Sequence, residues 1–246
     1  MCDEKKYGQY RGWADRVADV MAAHYPDFKY ANLAIRGKLL KQVIDEQIEP
    51  ALAQVTGKET LISFHAGAND VIRPKYNPNL VLPLYAEAVR RVAASGATVM
   101  LFTVLEDSGS EGRLAETWKI RFRDFNENIR AIAAEVGAIL CDANEEPAFK
   151  DPRFLAFDRL HLNPMGHDRV AQAVQETLEL PFDPSWRRPL AAQEPQHKFV
   201  QAAITIVWFG TFALPWMWRR ARGKSSGDGR TCKYPIAISW PLSHLD

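Results

Sequence analysis

Cysteine is scarce in this chain, and its three cysteines, Cys2, Cys141 and Cys232, lie far apart in the sequence. No Cys-x-x-Cys pair occurs, so neither a zinc knuckle nor a thioredoxin-type site is expected. Isolated cysteines, odd in number, are typical of reduced thiols, and we therefore predict a cytoplasmic protein. No apolar stretch follows Met1, so we expect no secretory signal peptide.

The chain also lacks an excess of charge of either sign. It has 31 lysines and arginines against 30 aspartates and glutamates in 246 residues. A near-neutral chain has no overall field that attracts a polyanion, so nucleic acid is not an expected partner. With 47% hydrophobic and 25% charged residues the composition is that of a globular protein. A domain of this size buries enough core without disulfide or metal support.

Helical and extended patterns alternate along residues 13–178. Strands are predicted at residues 28–34, 60–64, 98–104 and 138–141, with helices before, between and after them. The clearest helix carries one apolar stripe formed by Trp118, Phe122, Phe125, Ile129, Ile132 and Val136. Strands separated by crossover helices predict a doubly wound α/β fold with a parallel sheet, covered by helices on both faces. Ligands of such sheets bind at the carboxyl ends of the strands.

The composition changes after residue 182, which we take as the end of the main domain. Residues 183–198 are predicted to be a proline-rich linker and residues 199–218 an apolar helix. Residues 219–246 begin with a basic run and are predicted to be a partly disordered tail. The apolar stretch is just long enough to span a bilayer, but Pro215 shortens it and its tryptophans favour interfaces. We therefore favour a helix that packs on the body or lies on a membrane surface.

Two strand ends carry residues suited to binding a developing negative charge. Gly37 follows the first predicted strand, where its backbone N–H can approach a ligand because no Cβ intervenes. Asn69 follows the second, where its amide can donate a hydrogen bond to an oxyanion. Each also has a simpler interpretation, a glycine that starts a helix and an Asn-Asp turn that caps the backbone. His65, on the same strand, is interpreted as a packed or rim histidine rather than a base.

Asp158 and His161 follow the fourth predicted strand. An aspartate three residues before a histidine can accept its Nδ1–H and leave Nε2 as a general base. The alternatives are a surface pair or a metal site that includes His167, although no further ligand completes a zinc-like spacing. Together, the glycine, the asparagine and the Asp–His pair supply oxyanion donors and an oriented base, as acyl transfer requires.

These residues resemble three sequence blocks of the SGNH/GDSL hydrolases, in the same order. The blocks are Gly37, Gly67-Ala68-Asn69-Asp70 and Asp158-Arg159-Leu160-His161, and the resemblance covers about residues 7–182. The residues around these blocks, and the tail residues 219–230, look like those of an actinobacterial, intracellular branch of the family. The resemblance implies a flavodoxin-like three-layer fold, hydrolysis of a small ester and no cofactor. It also implies Asp158 and His161 in the triad, with Gly37 and Asn69 as oxyanion donors.

The family's nucleophile block, Gly-Asp-Ser, does not occur in the sequence. We expect the chain to be N-terminally truncated and inactive in this form. The block also ends a central strand that would pair between residues 28–34 and 60–64, and we consider the segment Pro235–Trp240 a weak replacement for it. Other candidate nucleophiles are Ser63, predicted in a buried strand, and the poorly supported Ser108, Ser110 and Cys2.

Two further functions remain open. One is a non-catalytic binding or scaffolding derivative, consistent with the missing nucleophile. The other is a flavodoxin-like ligand-binding or phosphoryl-transfer domain that uses Asp70, which leaves the Asp158–His161 pair without a role.

Overall fold

The structure, a computed structural model, describes residues 3–6, 8–106, 112–159, 161–193, 197–222 and 225–242. Its strands are β1 (Lys5–Lys6), β2 (Gln9–Tyr10), β3 (Lys29–Asn32), β4 (Leu61–Phe64), β5 (Thr98–Phe102), β6 (Ile139–Cys141) and β7 (Tyr234–Ser239). Its α-helices are α1 (Trp13–His24), α2 (Leu40–Val43), α3 (Glu49–Leu52), α4 (Ala68–Val71), α5 (Pro78–Ala93), α6 (Arg113–Val136), α7 (Pro164–Thr177), α8 (Lys198–Trp208) and α9 (Leu214–Ala221). Two π-helical turns, Ile44–Ile48 and Phe209–Ala213, join α2 to α3 and α8 to α9. Short 3-10 turns occupy Pro147–Lys150, Pro152–Phe154 and Pro184–Arg187.

Strand β5 lies at the centre of a parallel sheet with the order β4-β5-β6. Its side chains alternate between two cores, as the pleat of a strand requires. Val99 and Leu101 pack in the core formed with α5 and α6, whereas Met100 and Phe102 pack in the core formed with α1 and α7. Helices therefore cover both faces of the sheet, which confirms the predicted α/β fold.

Two predicted helix boundaries are confirmed in detail. Helix α6 buries Phe125, Ile129 and Ile132 of its apolar stripe and ends at Gly137, which has a φ of +68°. Helix α7 begins after Asn163, whose side-chain oxygen accepts the N–H of Gly166 at 3.0 Å.

Strand β3 stands apart from the parallel sheet in the described residues. It pairs antiparallel with β7, with Tyr30 opposite Ile238, so the segment Pro235–Trp240 does pair with this strand. No ladder joins β3 to β4 among the described residues, and β4 is therefore an edge strand. The prediction that Ser63 is buried is wrong: its side chain is exposed, because it lies on this edge strand.

The segment after residue 182 has more structure than its composition indicates. Within the predicted linker, Trp186 is buried and its Nε1 donates to Glu176 of α7 at 2.9 Å. Residues 199–218 are helical as predicted, but most of their apolar side chains are exposed. By length and composition Phe199–Arg219 is the one candidate membrane span among the described residues. The tail residues 225–229, predicted to be disordered, form a hydrogen-bonded turn held by Ser225 and Asp228.

Candidate active site

Asp158 and His161 form a closely bonded pair in the loop before α7. Oδ2 of Asp158 lies 2.7 Å from Nδ1 of His161, and Oδ1 accepts the backbone N–H of His161 at 2.9 Å. Arg159, between them, has a φ of +56°, which turns the chain sharply enough for a carboxylate to reach an imidazole three residues later. The pair fixes the proton on Nδ1 and leaves Nε2 with its lone pair, the form needed in a general base.

The side chain of Asn163 holds this loop together by hydrogen bonds. Its Nδ2 donates to the carbonyl oxygens of Arg153 at 2.7 Å and Leu155 at 3.1 Å, while its oxygen caps α7. One side chain therefore connects both ends of the loop that carries Asp158 and His161. The sequence predicts the cap, but the two bonds across the loop have no signal in it.

The loop Arg36–Leu40 contacts both of the other predicted blocks. Nδ2 of Asn69 donates to the carbonyl oxygen of Lys38 at 3.1 Å, and a carboxylate oxygen of Asp70 accepts the N–H of Leu40 at 2.8 Å. On the opposite side, a guanidinium nitrogen of Arg36 lies 3.4 Å from Nε2 of His161. The three predicted blocks thus meet around one loop, which contains Gly37.

Gly37 has a φ of +74°, a conformation that favours glycine. Among the described residues its N–H donates no hydrogen bond. The amide of Asn69 carries two hydrogens, of which the bond to Lys38 uses one. Among the described residues, the N–H of Gly37 and one amide hydrogen of Asn69 are therefore available for a ligand oxygen.

Two further residues at this edge have roles that the sequence does not reveal. Arg36 places a cation at Nε2 of His161, which no motif predicts. Burial raises the pKa of Asp70, but its carboxylate accepts the N–H of Leu40 and so holds the loop, a bond unrelated to phosphoryl transfer.

No hydroxyl in the described residues is hydrogen-bonded to His161. Ser108, Ser110 and Cys2 lie outside the described residues. His65 is exposed and stacks on Phe102, with ring centroids 5.4 Å apart. The described part of the chain contains no group of three or more His, Cys, Asp or Glu side chains placed to hold a metal ion.

Several solved structures share this fold at low sequence identity. An acetylxylan esterase from Geobacillus stearothermophilus, Axe2, superposes with a TM-score of 0.59 and 19% identity over 78% of this chain and 89% of its own. TesA gives a TM-score of 0.55 and 21% identity over 68% and 87% of the two chains. LAE5, described as an alpha/beta hydrolase enzyme from the metagenome of Lake Arreo in Spain, superposes with a TM-score of 0.55 and 19% identity. The match covers 72% of this chain and 86% of its own.

The solved structures of Axe2 include three catalytic mutants. These replace a serine, an aspartate and a histidine, the last two three positions apart.

A comparison with curated proteins finds no match for this sequence. The profile of the GDSL-like Lipase/Acylhydrolase family, in contrast, matches residues 2–169. The matched range contains the loop of Gly37, the turn of Asn69 and the Asp158–His161 pair. The chain belongs to the GDSL-like lipase/acylhydrolase family.

Proposed function

We propose that this chain carries the base, its orienting carboxylate and the oxyanion donors of a serine ester hydrolase. The observation that carries the proposal is the convergence of Asn69 and His161 on the loop of Gly37. Axe2 supports it, because its catalytic aspartate and histidine have the spacing of Asp158 and His161. The substrate is a small-molecule carboxylic ester.

In the proposed reaction, a serine hydroxyl attacks the ester carbonyl while Nε2 of His161 takes its proton. Asp158 keeps the imidazole in the reactive tautomer and stabilises the imidazolium that forms. The N–H of Gly37 and the amide of Asn69 hold the oxyanion of the tetrahedral intermediate. His161 then protonates the leaving alcohol, and water releases the acyl group by the reverse proton transfers.

The serine itself comes from a Gly-Asp-Ser segment, which the 246 residues do not contain. We therefore propose that these residues alone do not turn over esters. The alternative, a non-catalytic binding derivative, is favoured by one observation: Arg36 lies at Nε2 of His161, where the hydroxyl would donate.

One experiment separates the two functions. A fluorophosphonate probe and p-nitrophenyl acetate are applied to the chain as printed and to the chain extended at its N-terminus by a family strand ending in Gly-Asp-Ser. We expect labelling and turnover only in the extended chain, at the added serine, with loss of both in its Ser→Ala variant. An extended chain that folds but shows neither supports the binding derivative, and labelling of a serine in the printed chain refutes our assignment of the nucleophile.

We further propose that the protein is cytoplasmic and that helices α8 and α9 lie on a membrane surface. Phe199, Ile206 and Trp218 are all more than half exposed. Arg222, whose guanidinium lies 3.6 Å from the ring of Trp218, supplies a cation for anionic headgroups.

This surface also contacts the loop that carries the proposed base, through Arg159. The guanidinium of Arg159, next to Asp158, lies 4.8 Å over the ring of Trp208. We expect the chain to sediment with anionic vesicles, Ile206→Glu to abolish sedimentation, and Gln201→Glu, at another exposed position, to reduce it only slightly. Absence of wild-type sedimentation would contradict membrane contact, and resistance to carbonate extraction would indicate a spanning helix instead.

A further inference from the structure

The tail contains a compact turn, Ser225–Asp228, that its own polar groups hold together. The N–H of Ser225 donates to the carboxylate of Asp228 at 2.8 Å, and the N–H of Gly227 donates to Oγ of Ser225 at 3.2 Å. Ser225 is buried, with 8% of its surface exposed. A buried serine whose hydroxyl also bonds outside the turn fixes the turn against its neighbour.

That neighbour is the loop of Gly37. Oγ of Ser225 donates to the carbonyl oxygen of Gly37 at 2.7 Å. A Cβ atom on Gly37 would lie 2.6 Å from the hydroxyl oxygens of both Ser225 and Ser226, and one on Gly227 would overlap the carbonyl oxygen of Arg36. Two glycines therefore face each other, and the two backbones touch because neither carries a side chain.

The turn is anchored on both sides. Before it, Arg219 donates to the carbonyl oxygen of Ser225 at 3.3 Å. After it, Lys233 is bonded to Asp15 at 2.6 Å, and Nε1 of Trp240 donates to Asp19 at 2.8 Å. Strand β7, between these two residues, pairs with β3, the strand that leads into the loop of Gly37.

We infer that the turn Ser225–Asp228 is a positioning element that sets the direction of the Gly37 N–H. This inference rests on the proposed hydrolase function. The N–H of Gly37 shares one planar peptide with the carbonyl of Arg36, and the two groups point in opposite directions. Gly227 packs against that carbonyl and Ser225 holds the next one, so the turn fixes the peptide from the side opposite to the N–H. Ser225 and Gly227 act through Gly37 and need no contact with the substrate.

The first test uses the chain as printed and needs no activity. Hydrogen exchange is measured at the backbone amides of Leu39 and Leu40, which belong to the loop of Gly37. The first donates to the side chain of Gln42 and the second to that of Asp70. We expect Ser225→Ala and Gly227→Ala to accelerate this exchange about fivefold to tenfold, as the loss of one hydrogen bond implies.

Matched variants complete this test. Ser226→Ala removes a neighbouring hydroxyl without removing the bond to Gly37, and Gly210→Ala places a methyl group in open space. Both are expected to exchange like the wild type, and Ser225→Thr, which keeps a hydroxyl, to restore slow exchange. Unchanged exchange in Ser225→Ala and Gly227→Ala, or equal acceleration in Gly210→Ala, would overturn the inference.

The second test uses the chain extended with Gly-Asp-Ser. Displacing an oxyanion donor affects the transition state more than the bound ester, so Gly227→Ala is expected to lower kcat about 100-fold while KM changes less than about twofold. An unchanged kcat would contradict a positioning role. A rise in KM by a factor as large as the fall in kcat would contradict it too. If the wild-type extended chain is inactive, the proposed function fails, and the exchange rates alone still decide whether the turn fixes the loop. Fluorophosphonate labelling of Ser226 in the printed chain would make this turn a nucleophile carrier and overturn the inference.

Discussion

Oδ2 of Asp158 lies 2.7 Å from Nδ1 of His161, and a second oxygen of the same carboxylate holds the backbone N–H of that histidine. One carboxylate thus fixes both the ring and the chain from which the ring projects. Asp158 therefore controls both the tautomer and the position of the proposed base.

Replacing Asp158 tests this dual role. In the extended chain, Asp158→Asn is expected to lower kcat for p-nitrophenyl acetate by about 10⁴, because the amide favours the wrong tautomer of His161. Asp45→Asn, which affects only an exposed ion pair with Lys41, serves as the control and is expected to keep wild-type turnover. Near-wild-type turnover of Asp158→Asn would remove this residue from the triad.

Asn69 is expected to contribute both to the stability of the fold and to the rate of ester hydrolysis. Asn69→Ala loses the bond to Lys38, so the free energy of unfolding of the printed chain falls by about 1 kcal/mol in urea titration. In the extended chain kcat falls about 10²- to 10³-fold, as for the loss of one oxyanion donor. Asn79→Ala removes an exposed side chain of the same type and should leave both quantities unchanged. A loss of stability without a loss of kcat would leave Asn69 a purely structural role.

Gly67 is the position of the site at which a side chain fits least. A Cβ there would lie 2.5 Å from Cζ of the buried Phe125, and the residue has a φ of +94°. Gly67→Ala is therefore expected to lower the free energy of unfolding by about 2–4 kcal/mol, from overpacking and left-handed strain together. Gly210→Ala, which meets nothing within 4 Å, is the matched comparison in urea titration. Equal midpoints for the two variants would contradict the close packing of Gly67 on Phe125.

The lowered pKa of His167 predicts that the folded protein loses stability in mild acid. Burial, with Arg16 and Lys233 nearby, lowers the pKa of His167 from 6.5 to about 4. Between these values the unfolded chain binds the proton more readily than the folded one. The stabilisation is therefore complete above pH 6.5 and is lost as the pH falls towards 4. The loss is on the order of 2–3 kcal/mol. Urea midpoints across this range measure it, and His167→Gln should flatten the slope that this group contributes; an unaltered slope would assign it to other groups.

The parts of the fold that follow local rules were predictable from the sequence. The stripe through Phe125 and Ile129 predicts α6, and Asn163-Pro164 predicts the start of α7, because both depend on neighbours within a few residues. Asn69 and His161 were grouped by a general rule, that the carboxyl ends of parallel strands share one edge. The rule does not account for Gly37, because β3 pairs antiparallel with β7 and, in the described part of the chain, stands apart from the parallel sheet.

The long-range contacts were harder to predict. The bond from Ser225 to Gly37 joins residues 188 positions apart, and β7 pairs with β3 across more than 200 positions. Such pairing leaves no periodic signal in either segment. Arg36 was missed, because a basic residue before a glycine resembles any solvated side chain. The actinobacterial affinity and the division of the chain at residue 182 stay predictions.

The antiparallel pairing of β7 with β3 has a consequence for dissection of the protein. A fragment that stops at residue 182 ends at the domain boundary that the composition predicts, but it lacks β7. The backbone amides and carbonyls along one side of Lys29–Asn32 would then have no strand to pair with. Uncovered strands of that kind recruit other chains, so such a fragment is prone to self-association through β3. Strand β7 thus acts as a cover for the open side of β3.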